Sequence, residues 1–178
     1  LVTGGAQGIG ESIVEQFITQ NSKVAFLDID ENAGKALVKK INQKYNKDTL
    51  FIKCDLKDIK KLQDSISLVR EKLGLISVLV NNAANDERHY IESVKPEFWD
   101  DRMNINLRHY FFAEQKVYRD MEKLGQGAIV NIGSFSWMIA QGGMPGYTTA
   151  KSAIMGLTRT LARDLGVYNI RVNCVVPG

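Results

Sequence analysis

Tyr147 and Lys151 stand four residues apart, so a helix through them puts both side chains on one face. A tyrosine titrates near ~10, too high for proton transfer at neutral pH. A neighbouring ammonium stabilises the phenolate and lowers that value. The pair is therefore a candidate proton-transfer unit for an alcohol or a carbonyl, although this spacing also arises by chance in many helices. Ser134 adds weight. It directly follows an apolar run that reads as a strand, which sets its hydroxyl at the carboxyl edge of a sheet. Open α/β sheets bind ligands in the crevice outside that edge. Ser134 would there hydrogen-bond a substrate oxygen and hold it against Tyr147. Ser136 is a nearby rival, read more plainly as a loop hydroxyl bonded to backbone.

A second candidate site opens the chain. Thr3-Gly4-Gly5-Ala6-Gln7-Gly8-Ile9-Gly10 joins a short strand to a helix. Small residues let the backbone turn tightly and approach a pyrophosphate. The helix N-terminus then offers free N–H groups and a partial positive charge to that anion. The spacing is Gly-x-x-x-Gly-x-Gly, and alone it fits an ordinary strand-to-helix turn equally well. Asp28 supplies context. It ends the second strand, 18 residues after Gly10. A carboxylate there accepts hydrogen bonds from adenosine ribose hydroxyls and repels a 2′-phosphate. No Arg or Lys lies in the glycine loop or directly after Asp28, so NAD is expected rather than NADP. Asp30 is the better cap for the next helix. Asp55 ends the third strand, where contact with adenine and capping of the following helix are both open.

These residues need elements to hold them. Apolar runs at Leu1-Val2, Lys23–Ile29, Leu50–Ile52, Val78–Val80, Ala128–Ile132 and Ile170–Val176 read as strands. Between them, apolar residues recur at helical spacing over Gly8–Gln20, Glu31–Lys44 and Lys57–Leu73. Pro96 opens one long helix running to about Leu124. A last helix follows the Ser134–Gly146 loop and ends near Leu165. Strand and helix alternate, and the strands are continuous apolar runs rather than alternating ones. That pattern predicts an α/β fold: a doubly wound parallel sheet buried on both faces.

Composition narrows the function. The 178 residues are 44% hydrophobic and 24% charged, with 15 Gly and 3 Pro, which excludes disordered, collagen-like and disulfide-scaffold classes. No apolar run reaches the roughly 18–20 residues of a membrane span. The 23 basic residues are scattered among 20 acidic ones, so no nucleic-acid footprint is expected. Cys54 and Cys174 lie at the ends of apolar runs, without a CxxC motif. Buried free thiols in a reducing, cytoplasmic setting are expected, and no metal site. Leu1-Val2 reads as the tail of a strand and Pro177-Gly178 as the start of a turn, so the span looks cut through structure at both ends.

Taken together, Thr3-Gly4-x-x-x-Gly8-x-Gly10, Asp28, Asp55-Leu56, Asn81-Asn82-Ala83-Ala84, Asn106-Leu107, Ser134, Tyr147-x-x-x-Lys151 and Pro177-Gly178 occur in one order across the whole chain. The set resembles the ordinary branch of the short-chain dehydrogenase/reductase family. The resemblance implies a single Rossmann domain over 1–178 that binds NAD(P), with a C-terminal substrate lid absent. It implies a catalytic tetrad. Tyr147 would be the acid/base. Lys151 would bind the nicotinamide ribose and lower the pKa of Tyr147. Ser134 would orient the substrate, and Asn106 would hold a water in a relay to Lys151. Gly4, Gly8, Ile9, Gly10, Asp28, Asp55, Leu56, Asn82 and Ala83 would join Tyr147 and Lys151 around the cofactor. The family often has Gly where Ala84 stands, which is harmless if φ there is not positive. Relatives usually associate as dimers or tetramers, so a homodimer or homotetramer is expected.

The segments Asn81–His89, Asn106–Phe112 and Ser136-Trp137-Met138 further resemble members of the family that oxidise aldoses at C1 to lactones. Asn85, Arg88, His89 and Trp137 would then contact sugar, though His89 and Trp137 also read as loop packing. Leu107-Tyr110-Phe111 reads as a core or subunit-contact stripe. The expected activity is NAD-dependent hydride transfer from an aldose or another secondary alcohol. The alternatives are a 3-oxoacyl thioester reductase and a non-catalytic dinucleotide-binding module. The presence of Ser134, Tyr147 and Lys151 weighs against the last.

Overall fold

The structure, a computed structural model, describes residues 1–177; the last residue of the Pro177-Gly178 motif lies outside the described residues. Six strands form one parallel sheet: β1 (Val2–Thr3), β2 (Ala25–Asp28), β3 (Leu50–Lys53), β4 (Val78–Asn81), β5 (Gly127–Ile132) and β6 (Ile170–Val175). Their spatial order is β3-β2-β1-β4-β5-β6. Parallel neighbours need crossover connections, and helices supply them. These are α1 (Gly8–Thr19), α2 (Glu31–Tyr45), α3 (Ile59–Leu73), α4 (Pro96–Met103), α5 (His109–Leu124) and α6 (Pro145–Gly166). The chain starts mid-sheet, winds outward to β3, then returns to lay β4 against the other side of β1. The connections leaving β1 and β4 diverge there, and a crevice opens at the carboxyl edge. The doubly wound Rossmann-like sheet expected from the alternating pattern is the fold observed.

Neighbouring strand residues point to opposite faces, so each strand feeds two cores. Ala25, Leu27, Leu79 and Ile129 meet Leu62, Ile66 and Val69 of α3 and Ala113, Val117 and Met121 of α5. Val2, Phe26, Val80 and Ile132 meet Val14 and Ile18 of α1 and Leu37 and Ile41 of α2. Burial on both sides explains why the inner strands carry no polar alternation; the edge strand β6, expected as a continuous apolar run, does alternate, with Arg171 and Asn173 exposed beside buried Ile170 and Val172. Cys54 is buried, Cys174 only partly, and both are free thiols. Among the described residues no helix is long and apolar enough to cross a membrane.

Helix boundaries follow local chemistry. Asp30 caps α2 by accepting from Ala33 N, and Asp58 caps α3 by accepting from Lys61 N. Helix α3 therefore begins at Ile59 rather than Lys57. Asn46 closes α2 in the left-handed region, with φ 49°. The expected single helix from Pro96 to Leu124 is instead broken by a π turn at Asn104–Arg108. The wider turn carries Asn106 inward, where it is fully buried. Both ends of its amide are paired: Oδ1 accepts from Asn85 N at 2.8 Å, and Nδ2 donates to Asn85 O at 3.0 Å. Those bonds offset the loss of regular helix geometry.

A buried polar cluster crosses the sheet beside this segment. Asn81 Nδ2 donates to Glu114 Oε1 (3.2 Å) and to Asn131 Oδ1 (3.0 Å), and Asn131 Nδ2 donates to Thr158 Oγ1 (3.1 Å). Burial pushes the Glu114 carboxyl up to about 7, against the opposing pull of the Asn131 and Asn81 amides. An acid held above its ordinary value of 4.5 keeps its proton longer when folded. Its contribution to stability is thus full below pH 4.5 and is lost as pH rises through about 7. Glu114→Gln should remove that loss and stabilise the protein at pH 8 by about 2–3 kcal/mol. Urea denaturation at pH 5 and pH 8 checks this; equal pH dependence in both proteins would refute it.

Candidate functional site

The glycine loop is pinned from both neighbouring strands. Gly4 N donates to Leu27 O at 2.8 Å, tying the loop to β2. On the other side, Asn82 N and Ala83 N donate to Thr3 Oγ1 at 3.0 and 3.2 Å. Asn82 Nδ2 donates to Thr3 O (3.2 Å) and Gly4 O (2.9 Å). Asn82 is thus a bracket for the loop as well as part of the crevice wall. Gly4 and Gly10 are sterically required. Gly4 has φ +63°, and a Cβ on it would lie 2.7 Å from Ala83 Cα. A Cβ on Gly10 would collide with Gly4 O and sit 2.7 Å from Asn82 Nδ2. Behind the loop, α1 begins at Gly8 with Gln7 as its cap residue, and Gln7 makes no side-chain capping bond. The first-turn N–H groups are left to the crevice.

Asp28 ends β2 with its carboxylate held in place. Oδ2 accepts from Ala6 N at 2.9 Å and Oδ1 from Asp30 N at 3.0 Å. It lines a cleft of about 490 Å³ together with Gly4, Asp55, Leu56, Asn82 and Ala83. Of the two readings of Asp55, capping is overturned, because Asp58 caps α3. Asp55 instead turns the backbone by accepting from Lys57 N at 3.0 Å. Two cations line the same cleft and are already engaged. Lys57 Nζ is 2.8 Å from Asp101 Oδ1. Arg102, buried, donates to Asn85 Oδ1 (2.7 Å), Glu87 Oε2 (3.2 Å) and Asp101 Oδ2 (2.5 Å). Gly8 and Ile9 stand apart from this cleft. They face a separate apolar hollow along α1, with Ile9 54% exposed.

Ser134 follows β5, as expected, and Tyr147 and Lys151 lie in the first turns of α6. The Ser134 hydroxyl is 2.8 Å from the Ser136 hydroxyl and accepts from Ser136 N at 3.2 Å. Ser136, expected to bond backbone through its hydroxyl, therefore fixes the Ser134 rotamer instead. Lys151 is 1% exposed. Its Nζ donates to Ile132 O at 2.7 Å and to Tyr110 Oη at 3.1 Å, and lies 5.7 Å from the Tyr147 ring centre. Burial brings the lysine down to about 8. Tyr147 is pushed up by its own burial, a rise that the Ser134 hydroxyl opposes. The lowering of Tyr147 expected from Lys151 is not seen in the chain by itself, where burial sets the direction.

The residues expected to meet sugar divide. Asn85 lines the dinucleotide cleft, but its Oδ1 is taken by Arg102 and by Glu87 N. Trp137 lines a different hollow of about 240 Å³ with Gln141 and Thr148. Arg88 is exposed and donates to Gly142 O at 3.3 Å. His89 is buried with both ring nitrogens occupied. Nε2 accepts from Gly146 N at 2.9 Å, so it carries no proton, and Nδ1 is 2.8 Å from Glu87 O. His89 N also donates to Gly143 O. The histidine therefore works as a clamp from the β4–α4 loop onto the start of α6, one residue before Tyr147. The composition of the loop gave no sign of this, since the clamped group, Gly146 N, is 57 residues away.

The fold and crevice define a dinucleotide-binding oxidoreductase. The chain belongs to the short-chain dehydrogenase family, whose model matches residues 1–178. It is 43% identical to the probable galactose dehydrogenase GalD of Rhizobium meliloti (strain 1021), over all of this chain and 70% of that protein. It is 42% identical to the D-xylose 1-dehydrogenase of Caulobacter vibrioides, with the same shares covered. The 3-oxoacyl-[acyl-carrier-protein] reductase FabG of Chlamydia muridarum is 32% identical over 72% of its length. The solved structure of gox2181 superposes with a TM-score of 0.93 at 29% identity, covering 99% of this chain and 69% of that one. The protein is accordingly an NAD(P)-dependent oxidoreductase acting on CH–OH donors. The residues present fit the cofactor: Gly4, the Gln7 that precedes α1 and the carboxylate of Asp28 line one crevice, and Gly10 packs closely against Gly4.

The clamp gives a prediction. His89→Phe keeps a ring against Phe98, whose centre is 4.9 Å away, but leaves Gly146 N buried and unpaired. It should lower stability by about 1–3 kcal/mol, read as a fall of several degrees in Tm. An unchanged Tm would show that the bond carries no weight.

Proposed function

We propose that the protein oxidises an aldose at C1 to the lactone, using NAD⁺. The carrying observation is the identity of 43% to a probable galactose dehydrogenase and 42% to a D-xylose 1-dehydrogenase, against 32% to a 3-oxoacyl reductase. The crevice chemistry is consistent with it. Bound nicotinamide supplies the acceptor for the hydride that leaves C1. Ser134, its rotamer set by Ser136, donates to the C1 oxygen and holds it at Tyr147. The Tyr147 phenolate takes the hydroxyl proton as the carbonyl forms. The ammonium of Lys151 stabilises that phenolate and binds the nicotinamide ribose. Asn106 holds the π turn against Asn85 and supports a water in the relay to Lys151. Gly8 and Ile9 frame the pyrophosphate turn, and Asp55, Leu56, Asn82 and Ala83 form the adenosine side. Asn85 and Trp137 are proposed as sugar contacts, and His89 acts on the sugar site through its loop. The active form is proposed to be a homodimer or homotetramer.

Burial raises Tyr147 and lowers Lys151 to about 8, so the combination the reaction needs, phenolate with ammonium, is scarce at neutral pH. Aldose oxidation should rise with pH up to about 8 as the small phenolate fraction of Tyr147 grows, and level off above it as Lys151 loses its charge, read as kcat from pH 6 to 10. Tyr147→Phe should reduce kcat by about 10²–10⁴-fold, the contribution of one positioned acid–base group, while NAD⁺ affinity stays near wild type. A panel of aldoses with NAD⁺, scored for lactone, is the direct test. Turnover of a 3-oxoacyl thioester with no aldose oxidation would favour the reductase reading.

Asp28 supports NAD⁺ over NADP⁺, because its carboxylate is fixed beside the ribose site and the nearby cations are engaged by Asp101. NADP⁺ should bind at least about tenfold more weakly than NAD⁺, a difference near 1.4 kcal/mol. Asp28→Ala should narrow the gap. Calorimetric titration of both cofactors decides, and equal wild-type affinities would remove the assignment.

A further inference from the structure

We propose that Tyr110 is a positioning residue for Lys151, its phenol holding the amine in the one orientation that leaves a donor free for the site. This rests on the dehydrogenase reading above. Tyr110 and Lys151 are 0% and 1% exposed. Tyr110 Oη donates to Ile132 O at 3.0 Å and accepts from Lys151 Nζ at 3.1 Å. Lys151 Nζ donates to the same Ile132 O at 2.7 Å. The three atoms close a triangle joining α5, the end of β5 and α6. An ammonium has three N–H donors. Two are taken by this triangle, and one remains for the crevice.

A lysine stem is flexible and its charge is strongly hydrated, so burial alone would leave it poorly aimed. Ile132 O fixes one direction only. The phenol supplies the second, and two fixed directions set the third. The phenol also suits the task electrically. Burial holds Tyr110 well above its ordinary value, so it stays neutral. A carboxylate in its place would pair with the ammonium and cancel the charge that must act on Tyr147. A neutral hydroxyl anchors the amine and leaves its charge in force.

The groups facing Lys151 are His109 and Tyr110 from α5, Cys174 from β6 and Tyr147 from its own helix, with Glu114 one turn beyond Tyr110. Burial lowers His109 to about 4 and raises the Cys174 thiol. Glu114 is common to the wild type and the variant below. Lys151 itself is near 8, within reach of titration. Removing the phenolic oxygen takes away a partner of the charged amine, so its proton should leave at lower pH.

The test is Tyr110→Phe, which retains the ring. Lysine labelled with ¹³C at Cε is followed by NMR from pH 6 to 10 in the protein without cofactor, with Lys151→Met identifying the resonance. NAD⁺ affinity is measured by calorimetry at pH 7 and pH 9. The expected result is a Lys151 midpoint lower by about one pH unit, and NAD⁺ binding weakened several-fold at pH 7 and more at pH 9. A purely structural tyrosine would lower Tm and leave the Lys151 midpoint unmoved. An unmoved midpoint with wild-type NAD⁺ affinity therefore overturns the positioning role while leaving the dehydrogenase reading intact. A wild-type protein that binds neither NAD⁺ nor NADP⁺ overturns that reading, and the positioning role with it.

Discussion

The contact on which the molecule depends is the meeting of two backbones at the divergence of β1 and β4. Gly4 and Ala83 approach so closely that a single carbon on Gly4 would clash. Thr3 and Asn82 tie the two strand ends together with four hydrogen bonds. A parallel sheet wound both ways from its centre must open a crevice where its connections part. These bonds keep the floor of that crevice rigid, so the N–H groups of α1 and the carboxylate of Asp28 hold fixed positions relative to β5 and α6.

From that floor the site is assembled by backbone as much as by side chains. Ser134 is aimed by Ser136, Asn106 by the main chain of Asn85, His89 by Gly146 N, and Lys151 by Ile132 O. Each is a polar group taken out of water and satisfied by a partner whose place the fold determines. The electrostatic outcome is uniform. Burial raises the acids Glu114 and Tyr147 and lowers the bases His109 and Lys151, so the crevice wall favours uncharged forms. In such surroundings the ammonium of Lys151, when charged, is little screened over a short range.

Much of this was legible in the sequence, and the reason is local. A run of glycines where a strand meets a helix, an acid at a strand end and a Tyr/Lys pair one helical turn apart are each written in neighbouring residues. Gly4, Gly10, Asp28, Ser134, Tyr147 and Lys151 are candidates read that way, and the alternation that builds the sheet is legible in the same manner. What escaped depends on distant partners. Tyr110 looked like part of an apolar stripe, because its phenol is explained only by a carbonyl on β5 and an amine on α6. His89 looked like a sugar contact or loop packing, because its true partner is a backbone N–H. The π turn carries no compositional mark, since Asn104–Arg108 would sit comfortably in an ordinary helix; the pull comes from Asn85.

That π turn has a geometric consequence for the lineage of the chain. A helix with one residue too many in a turn is out of phase with an ordinary helix by about 100°. Deleting a single residue between Asn104 and Arg108 would therefore act as a rotation of α5 more than a shortening. Tyr110 would swing from the β5 side, and Ala113, Val117 and Met121 would leave the core together. Length in this short stretch is consequently a phase variable. Substitutions in it can be absorbed one at a time, whereas an insertion or deletion must be matched by a second one nearby to return the downstream helix to register.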